Sequence, residues 1–406
     1  MRAAVHVKSA RVQRLLYKKY IAKARAHAQA RLPHEKRSYT FVVDYGQNME
    51  LPVFNKEQAG CTYYYSPLGV YTLGVVNQAH EVRNKDGSIE FKDHMHAHVY
   101  HEGIAKKGAN NVASLIIKTL IQQNIIQEGC IGGELTIVFD NCTGQNKNNT
   151  VLKLLVYLAE MGYFKKVNFI FLIVGHTKNS ADMLFNALKM KYHREDIHTM
   201  AQMIEILDNS DSVTVHPSEE ADFYDWETFL DLFYSDYKNK IKQNHIFSAT
   251  HKESWDGNQL LVDLRESDLP EHGIVKHKSI KSGFHGRSSY PKGAKGLKQA
   301  VENRKEDIKN AKGELLKQIK APGINIYKQV ELYYKYRPIV PQEHWGDVLY
   351  QKPDDDVLEA VRKEKASRKH FREGLNREKQ KVADKKKEQF KEKMSDVAYG
   401  DGLTNV

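Results

Sequence analysis

What most constrains this chain is the order of its apolar segments between residues 38 and 195. Tyr39 to Tyr45 is a β-branched and aromatic run that carries an acid near its end, and Val70 to Asn77 is a second strand. Phe91 to His101 reads as a third, set off from the second by the turn signal Asn84-Lys85-Asp86-Gly87, which favours an antiparallel meander. Val112, Leu115, Ile116, Leu120 and Ile121 then recur at helical spacing, opposite Asn111, Ser114, Lys118 and Gln122. Glu134 to Phe139 is a buried strand ending at Asp140, and Thr150 to Met161 an apolar helix closed by Gly162. Val167 to Val174 is a continuous apolar run, as a central strand covered on both faces requires. Ser180 to Lys191 is the next helix, with Ser180 as N-cap. The order β-β-β-α-β-α-β-α predicts a mixed α/β sheet with helices on both faces.

That element order is the one the ribonuclease H-like superfamily uses. It divides the chain into a basic N-terminal arm over residues 1–37 and a core with extension over 38–265. A basic and aromatic segment follows over 266–345, then a charged helical or disordered tail over 346–406. Within the extension, Met200 to Leu207 and Asp225 to Tyr234 read as helices, and Val213 to His216 and Leu260 to Leu264 as short strands. The first 34 residues hold no Asp or Glu and suggest a short amphipathic basic helix on a solvated arm; their Arg- and Ala-rich composition also resembles a mitochondrial transit peptide. Residues 276 to 298 hold seven Lys and Arg, no acids, four Gly and one Pro, which reads as a basic loop outside the core.

Three acids occupy informative positions. Asp44 ends the first strand, Asp140 ends the fourth, and Asp182 lies in the first turn of the helix after the fifth. In a sheet of this topology the first and fourth strands are neighbours, so Asp44 and Asp140 sit side by side and Asp182 approaches from the flanking helix. Two carboxylates about 5 Å apart repel by roughly 3 kcal/mol at an effective dielectric near 20. Divalent magnesium or manganese removes that cost, and two such ions can activate a water or a 3′-hydroxyl during phosphodiester cleavage. Singly, an Asp at a strand end is a common turn former and an Asp in a first turn is favoured by the helix dipole. The joint pattern carries the catalytic and metal-binding assignment of Asp44, Asp140 and Asp182.

Two loops lie at the same sheet edge, Asp140 to Asn149 and Gly175 to Asp182. In them Gln145 and Asn146 suit bases or sugars, and Lys147 and Lys178 suit phosphate. Phe139-Asp140-Asn141-Cys142 with Gly144-Gln145-Asn146-Lys147-Asn148, then Gly175-His176-Thr177 and Asp182, resembles an uncharacterised transposon-borne domain found in repeat-derived proteins of animals and oomycetes. That family is similar to ribonuclease H-like, DDE-type transposase cores. The resemblance covers about residues 40 to 195. It implies metal-dependent DNA cleavage and strand transfer, with Asp44, Asp140 and Asp182 as the metal-binding acids and His176 a motif residue grouped with the nucleic-acid contacts. Many such enzymes carry Glu in the third place, where this chain has Asp182.

Composition agrees with a polyanionic partner. The formal net charge is +11, from 62 Lys and Arg against 51 Asp and Glu. Lys281, Arg287, Lys292 and Lys295 of the basic segment, with the N-terminal arm, are expected to bind DNA backbone without reading sequence. Three widely spaced cysteines, Cys61, Cys130 and Cys142, argue against a disulfide framework or a four-ligand zinc module. His94, His96 and His98 share one strand face, an arrangement that offers a metal site. No apolar run approaches the ~20 residues of a membrane span, so no membrane partner is expected. Neither a phosphate-binding Gly-x-x-x-x-Gly-Lys-Ser/Thr loop nor a Gly-x-Ser-x-Gly elbow occurs. The leading expectation is a nuclear DDE-type transposase, with a homo-oligomer compatible. The alternatives are a catalytically inactive derivative that keeps the fold as a binding module, and a simple ribonuclease H-like nuclease.

Overall fold

The computed structural model describes residues 2–56, 60–127, 129–176, 178–208, 210–234, 236, 241, 244–251, 259–265, 275–281 and 294–398. Of these, the side chains of residues 2–5, 61, 259–265, 275–281, 294–302, 304 and 388–398 lie outside the description. The chain divides between Ile324 and Asn325 into two compact units.

The first unit is built on one mixed sheet. Its strands are β1 (Ser38–Tyr45), β2 (Met49–Leu51), β3 (Leu68–Arg83), β4 (Ile89–His101), β5 (Gly132–Phe139), β6 (Phe164–Phe171), β7 (Val213–Pro217), β8 (Ile246–Thr250), β9 (Gln259–Arg265) and β10 (Val275–Lys281). Their spatial order is β10-β9-β8-β6-β5-β1-β3-β4-β7, with β2 pairing β3 beside this path. Strand β1 runs antiparallel to β3 and parallel to β5, β3 antiparallel to β4, and β5 parallel to β6. The helices of this unit are α1 (Arg2–Gln29), α2 (Ala109–Gln122), α3 (Asn149–Glu160), α4 (Ser180–Tyr192), α5 (Met200–Asp208), α6 (Trp226–Asp231) and α7 (Ala294–Leu315). The expected α/β class, with a mixed sheet flanked by helices, is the one observed.

Period-two alternation in β1 sends side chains to two different layers. Phe41 and Val43 join the main core with Leu115, Ile116, Leu152, Leu155 and Trp226 from α2, α3 and α6. Thr40 faces the other way and donates to the Tyr20 carbonyl of α1 at 3.1 Å. On that second face, Phe185 of α4 lies over Gly46 and Gly74. A Cβ on Gly74 would meet the Phe185 ring at 2.8 Å, and one on Gly46 at 2.9 Å, so both glycines are needed for α4 to sit this close. Gly162 takes φ +74° and ends α3, the role its position after the apolar helix predicts.

Three expectations are corrected. The N-terminal arm is no solvated segment. Ala10, Gln13, Tyr17, Ala24 and Ala28 form a buried stripe at three- and four-residue spacing, and α1 packs on β1 and β3. Small and polar residues make up most of that stripe, so its contrast with the basic face is low. The basic segment 276–298 is not a loop throughout, because its first residues form β10, paired antiparallel with β9, and Ala294 opens α7. Strand β10 stands at one end of the strand order. Finally, the strand expected over 167–174 lies at 164–171, because Leu172 to Val174 leave the ladder.

The second unit carries α8 (Ile326–Glu331) and α9 (Asp355–Ala398). The charged tail is thus a helix of 44 residues, with Lys363–Glu359 and Arg368–Glu364 ion pairs at 2.6 Å one turn apart.

The histidines of β4 join His80 and His216 in a ladder rather than a metal site. His80 stacks on His94 with centroids 4.2 Å apart, and His98 stacks on His216 at 5.2 Å. His96 Nδ1 lies 3.0 Å from His216 Nε2, while His94 and His98 bond Thr214 and Thr119. Among the described residues no three His, Cys, Asp or Glu are grouped so as to hold a metal ion. Burial is the main cause that pulls His94 down to about 4 and His96 to about 3, and it also holds His98 well below its ordinary value. These rings are neutral in the folded state but charge in the unfolded state below its ordinary value of 6.5. Their stability contribution is therefore complete above pH 6.5 and is lost as pH falls toward 4. Between pH 7 and 4.5 the loss from His94 and His96, discounted for solvent screening, is on the order of 2–4 kcal/mol. A His94→Gln/His96→Gln variant should show a flatter urea midpoint over that range than the parent. Parallel curves would refute this account.

Candidate functional site

The parallel register between β1 and β5 builds the site. Val43 pairs with Phe139, so the next residues, Asp44 and Asp140, leave neighbouring strands at the same sheet end. Asp182 reaches that end from the first turn of α4. The three expected acids are brought into mutual electrostatic range. Burial, then the charges of Asp140 and Asp182, push the Asp44 carboxyl up to about 7. Opposing this, Asp44 accepts bonds from the Tyr45 backbone N–H at 2.8 Å and from the Asn179 side chain.

The other two carboxylates are held by local bonds. Asp140 Oδ1 accepts from the Asn146 amide and from the Cys142 backbone N–H at 3.3 Å. Asn146 is fully buried, and its Oδ1 is a buried acceptor with no partner. Asp182 Oδ2 accepts from the Asn179 backbone N–H at 2.7 Å, and Asn179 in turn accepts from Ala181. This reciprocal pair is a capping box, which explains both residue types by helix termination alone. Asp182 also lines a cleft of about 410 Å³ between α4 and the segment from Tyr45 to Glu50.

A hard divalent cation suits the chemistry of this donor set. Asp44 lies within range of the charges of Asp140 and Asp182, which add to burial in raising its carboxyl, and the orphaned Asn146 Oδ1 is a further oxygen donor beside Asp140. As placed, the three acids do not form a ligand cluster: no group of three His, Cys, Asp or Glu among the described residues is close enough to hold an ion.

Several expected nucleic-acid contacts occupy other roles. Lys147 is 2% exposed, lies 5.6 Å from the Phe171 ring centroid, and is lowered to about 8 by burial, so it is no surface phosphate ligand. Asn146 is a buried partner of Asp140. Gln145 is half-buried, and its carbonyl accepts from the Asn148 amide at 3.1 Å. His176 packs against His6 of α1, with ring centroids 5.3 Å apart. Lys178 keeps an exposed side chain while its carbonyl accepts from Arg14 at 3.1 Å. Thr177, Arg287 and Lys292, and the side chains of Lys281 and Lys295, lie outside the described residues.

The family described as "Domain of unknown function (DUF7869)" matches residues 83–262, under half of the chain. No curated protein matches. Among solved structures, the crystal structure of NurA with manganese shows 12% identity over 51% of this chain and 43% of that chain, with a TM-score of 0.13. The crystal structure of NurA bound to dAMP and manganese shows 9% identity over 73% and 61%, with a TM-score of 0.14. The match spans less than two thirds of either NurA chain. Likeness at those TM-scores carries no argument.

Two residues of the site lack a local signal in the sequence. Lys107, just before α2, is half-buried against the rings of Tyr45 and Tyr71, with Nζ 4.8 and 5.0 Å from their centroids. Burial lowers it, while the charges of Asp44 and Cys142 pull it upward. Asn179 bridges Asp44 to the start of α4.

Helix α1 holds the loop that brings Asp182 to this edge. The buried Gln13 amide donates to the Phe171 carbonyl at 2.9 Å and accepts from the Ile173 N–H at 3.0 Å. Tyr17 donates to Gln78, whose amide reaches Ser180, the first residue of α4. Gln13→Leu keeps the volume but leaves the buried Ile173 N–H unpaired, while the Phe171 carbonyl keeps His245 Nδ1 at 3.0 Å. The expected loss of stability is about 1–3 kcal/mol, with faster amide exchange at Ile173. A urea midpoint equal to the parent's would show that the staple contributes nothing.

Proposed function

We propose that this chain is a ribonuclease H-like, DDE-type enzyme of transposon origin that cleaves DNA phosphodiesters and transfers strands. The observation that carries the reading is the convergence of Asp44, Asp140 and Asp182 from β1, β5 and α4 at one sheet end. The strand order β4-β3-β1-β5-β6, antiparallel on one side of β1 and parallel on the other, supports the same fold family. The motif resemblance supports the transposon origin.

Magnesium or manganese held by Asp44, Asp140 and Asp182, with Asn146 Oδ1 as a neighbouring acceptor, would supply an activated water or 3′-hydroxyl and stabilise the leaving oxygen. Asn179 and the Tyr45 N–H orient Asp44 from two sides. Asn146 and the Cys142 N–H orient Asp140. Lys107 places a cation that feels both Asp44 and Cys142, and it suits a scissile phosphate. The walls of Tyr45 and Tyr71 limit its hydration.

One observation favours a second reading, a descendant that keeps the fold without the activity. The Asp182 carboxylate is committed to the cap of α4, and among the described residues no three-donor cluster is assembled. Manganese-dependent cleavage of plasmid DNA separates the two. The parent protein should cleave, and Asp140→Asn should lower the rate by roughly 100-fold or more. Strand transfer with 3′-hydroxyl oligonucleotide ends should fall in parallel. Equal cleavage by parent and variant would overturn the catalytic assignment, and a folded parent that never cleaves would favour the inactive descendant.

A further inference from the structure

On the face of the sheet opposite α4, a cavity of about 640 Å³ opens between α2, the end of α3, the segment leading into α6, and α7. That volume lies within the range of small-molecule sites. Four aromatic residues border it: Tyr163 and Tyr224 are half-buried, while Tyr157 and Trp226 are almost wholly buried. Tyr157 and Trp226 belong to the main core, and Tyr163 and Tyr224 pack on its margin, so the aromatic walls are held by the fold itself. Trp226 and Tyr157 meet edge to face, with centroids 5.7 Å apart. Ile121 remains 53% exposed at this cavity.

The charged part of the lining is net positive, three lysines against Asp222. Lys118 forms an ion pair with Asp222 at 2.7 Å and is thereby neutralised, while α7 adds Lys309 and Lys312. Aromatic walls with a cationic rim select a flat ring that carries negative charge. Gly313 of α7 also lines the cavity, and a Cβ built there meets no atom within 4 Å.

We infer that this cavity binds a planar aromatic anion, a nucleoside phosphate or an aromatic carboxylate, independently of the carboxylate edge of the sheet. The ring packs against Tyr163 and Tyr224 and the anionic group meets Lys309 and Lys312. Fluorescence titration of the full chain with 1-anilinonaphthalene-8-sulfonate tests this, with Trp226 as a nearby energy donor. The parent should bind saturably at one site. Gly313→Phe, which fills open space, and Lys309→Glu/Lys312→Glu, which reverses the rim, should each weaken binding roughly tenfold with unchanged circular dichroism. Displacement by AMP identifies a nucleoside phosphate as the class, and displacement by indole-3-carboxylate an aromatic acid. Binding unaltered in both variants, no saturable binding by the parent, or displacement by neither competitor would overturn the inference.

Discussion

Everything at the candidate site depends on the parallel pairing of β1 with β5. That ladder sets Val43 opposite Phe139, and the one-residue step beyond it leaves two carboxylates on adjacent strands. A slip of one residue would turn Asp44 toward the layer of Phe41 and Val43, where the core is apolar. The hydrophobic pattern of both strands opposes such a slip, since it would expose Phe41 and Phe139 to the wrong layer. Burial energy thus holds two like charges where their mutual repulsion would not place them. The Asp44 carboxyl is raised by that burial first and by the neighbouring charges of Asp140 and Asp182 second.

The second face of the sheet explains how α4 and its acid come into range. Glycines at 46 and 74 let Phe185 approach the backbone, and Gln13 and Tyr17 tie the β6–α4 connection to α1. The N-terminal helix therefore acts as a structural strap for the loop that carries His176, Lys178 and Asp182. Its basic residues still have local partners, as in the Arg25–Asp93 pair at 2.7 Å and the Lys23–Glu134 pair at 2.5 Å. A basic composition that suggested contact with DNA is, for these residues, spent on the fold.

Legibility followed the kind of signal each residue carries. The positions of Asp44 and Asp140 were readable because strand ends are marked by the end of an apolar run. Asp182 was readable as a first-turn acid, but its capping box was not separable from a catalytic role by residue type. Lys147 follows three amide-bearing residues in a polar loop, which gave no hint that its ammonium is buried against Phe171. Lys107 and the Tyr45–Tyr71 pair around it are 36 or more positions apart in the chain, so only the folded sheet could join them.

What the sequence by itself determined was the alternation of strands and helices, the mixed α/β class, and which acids end which strands. Those features are local: they follow from periodicity, turn residues and helix caps within a dozen positions. Only the tertiary structure decided that the basic N-terminal helix packs a buried stripe on the sheet, that four strands extend the sheet at its two edges, and that the histidines form a stacked and hydrogen-bonded ladder. Each of these depends on long-range pairing, in which a small or polar side chain becomes buried because a distant element covers it.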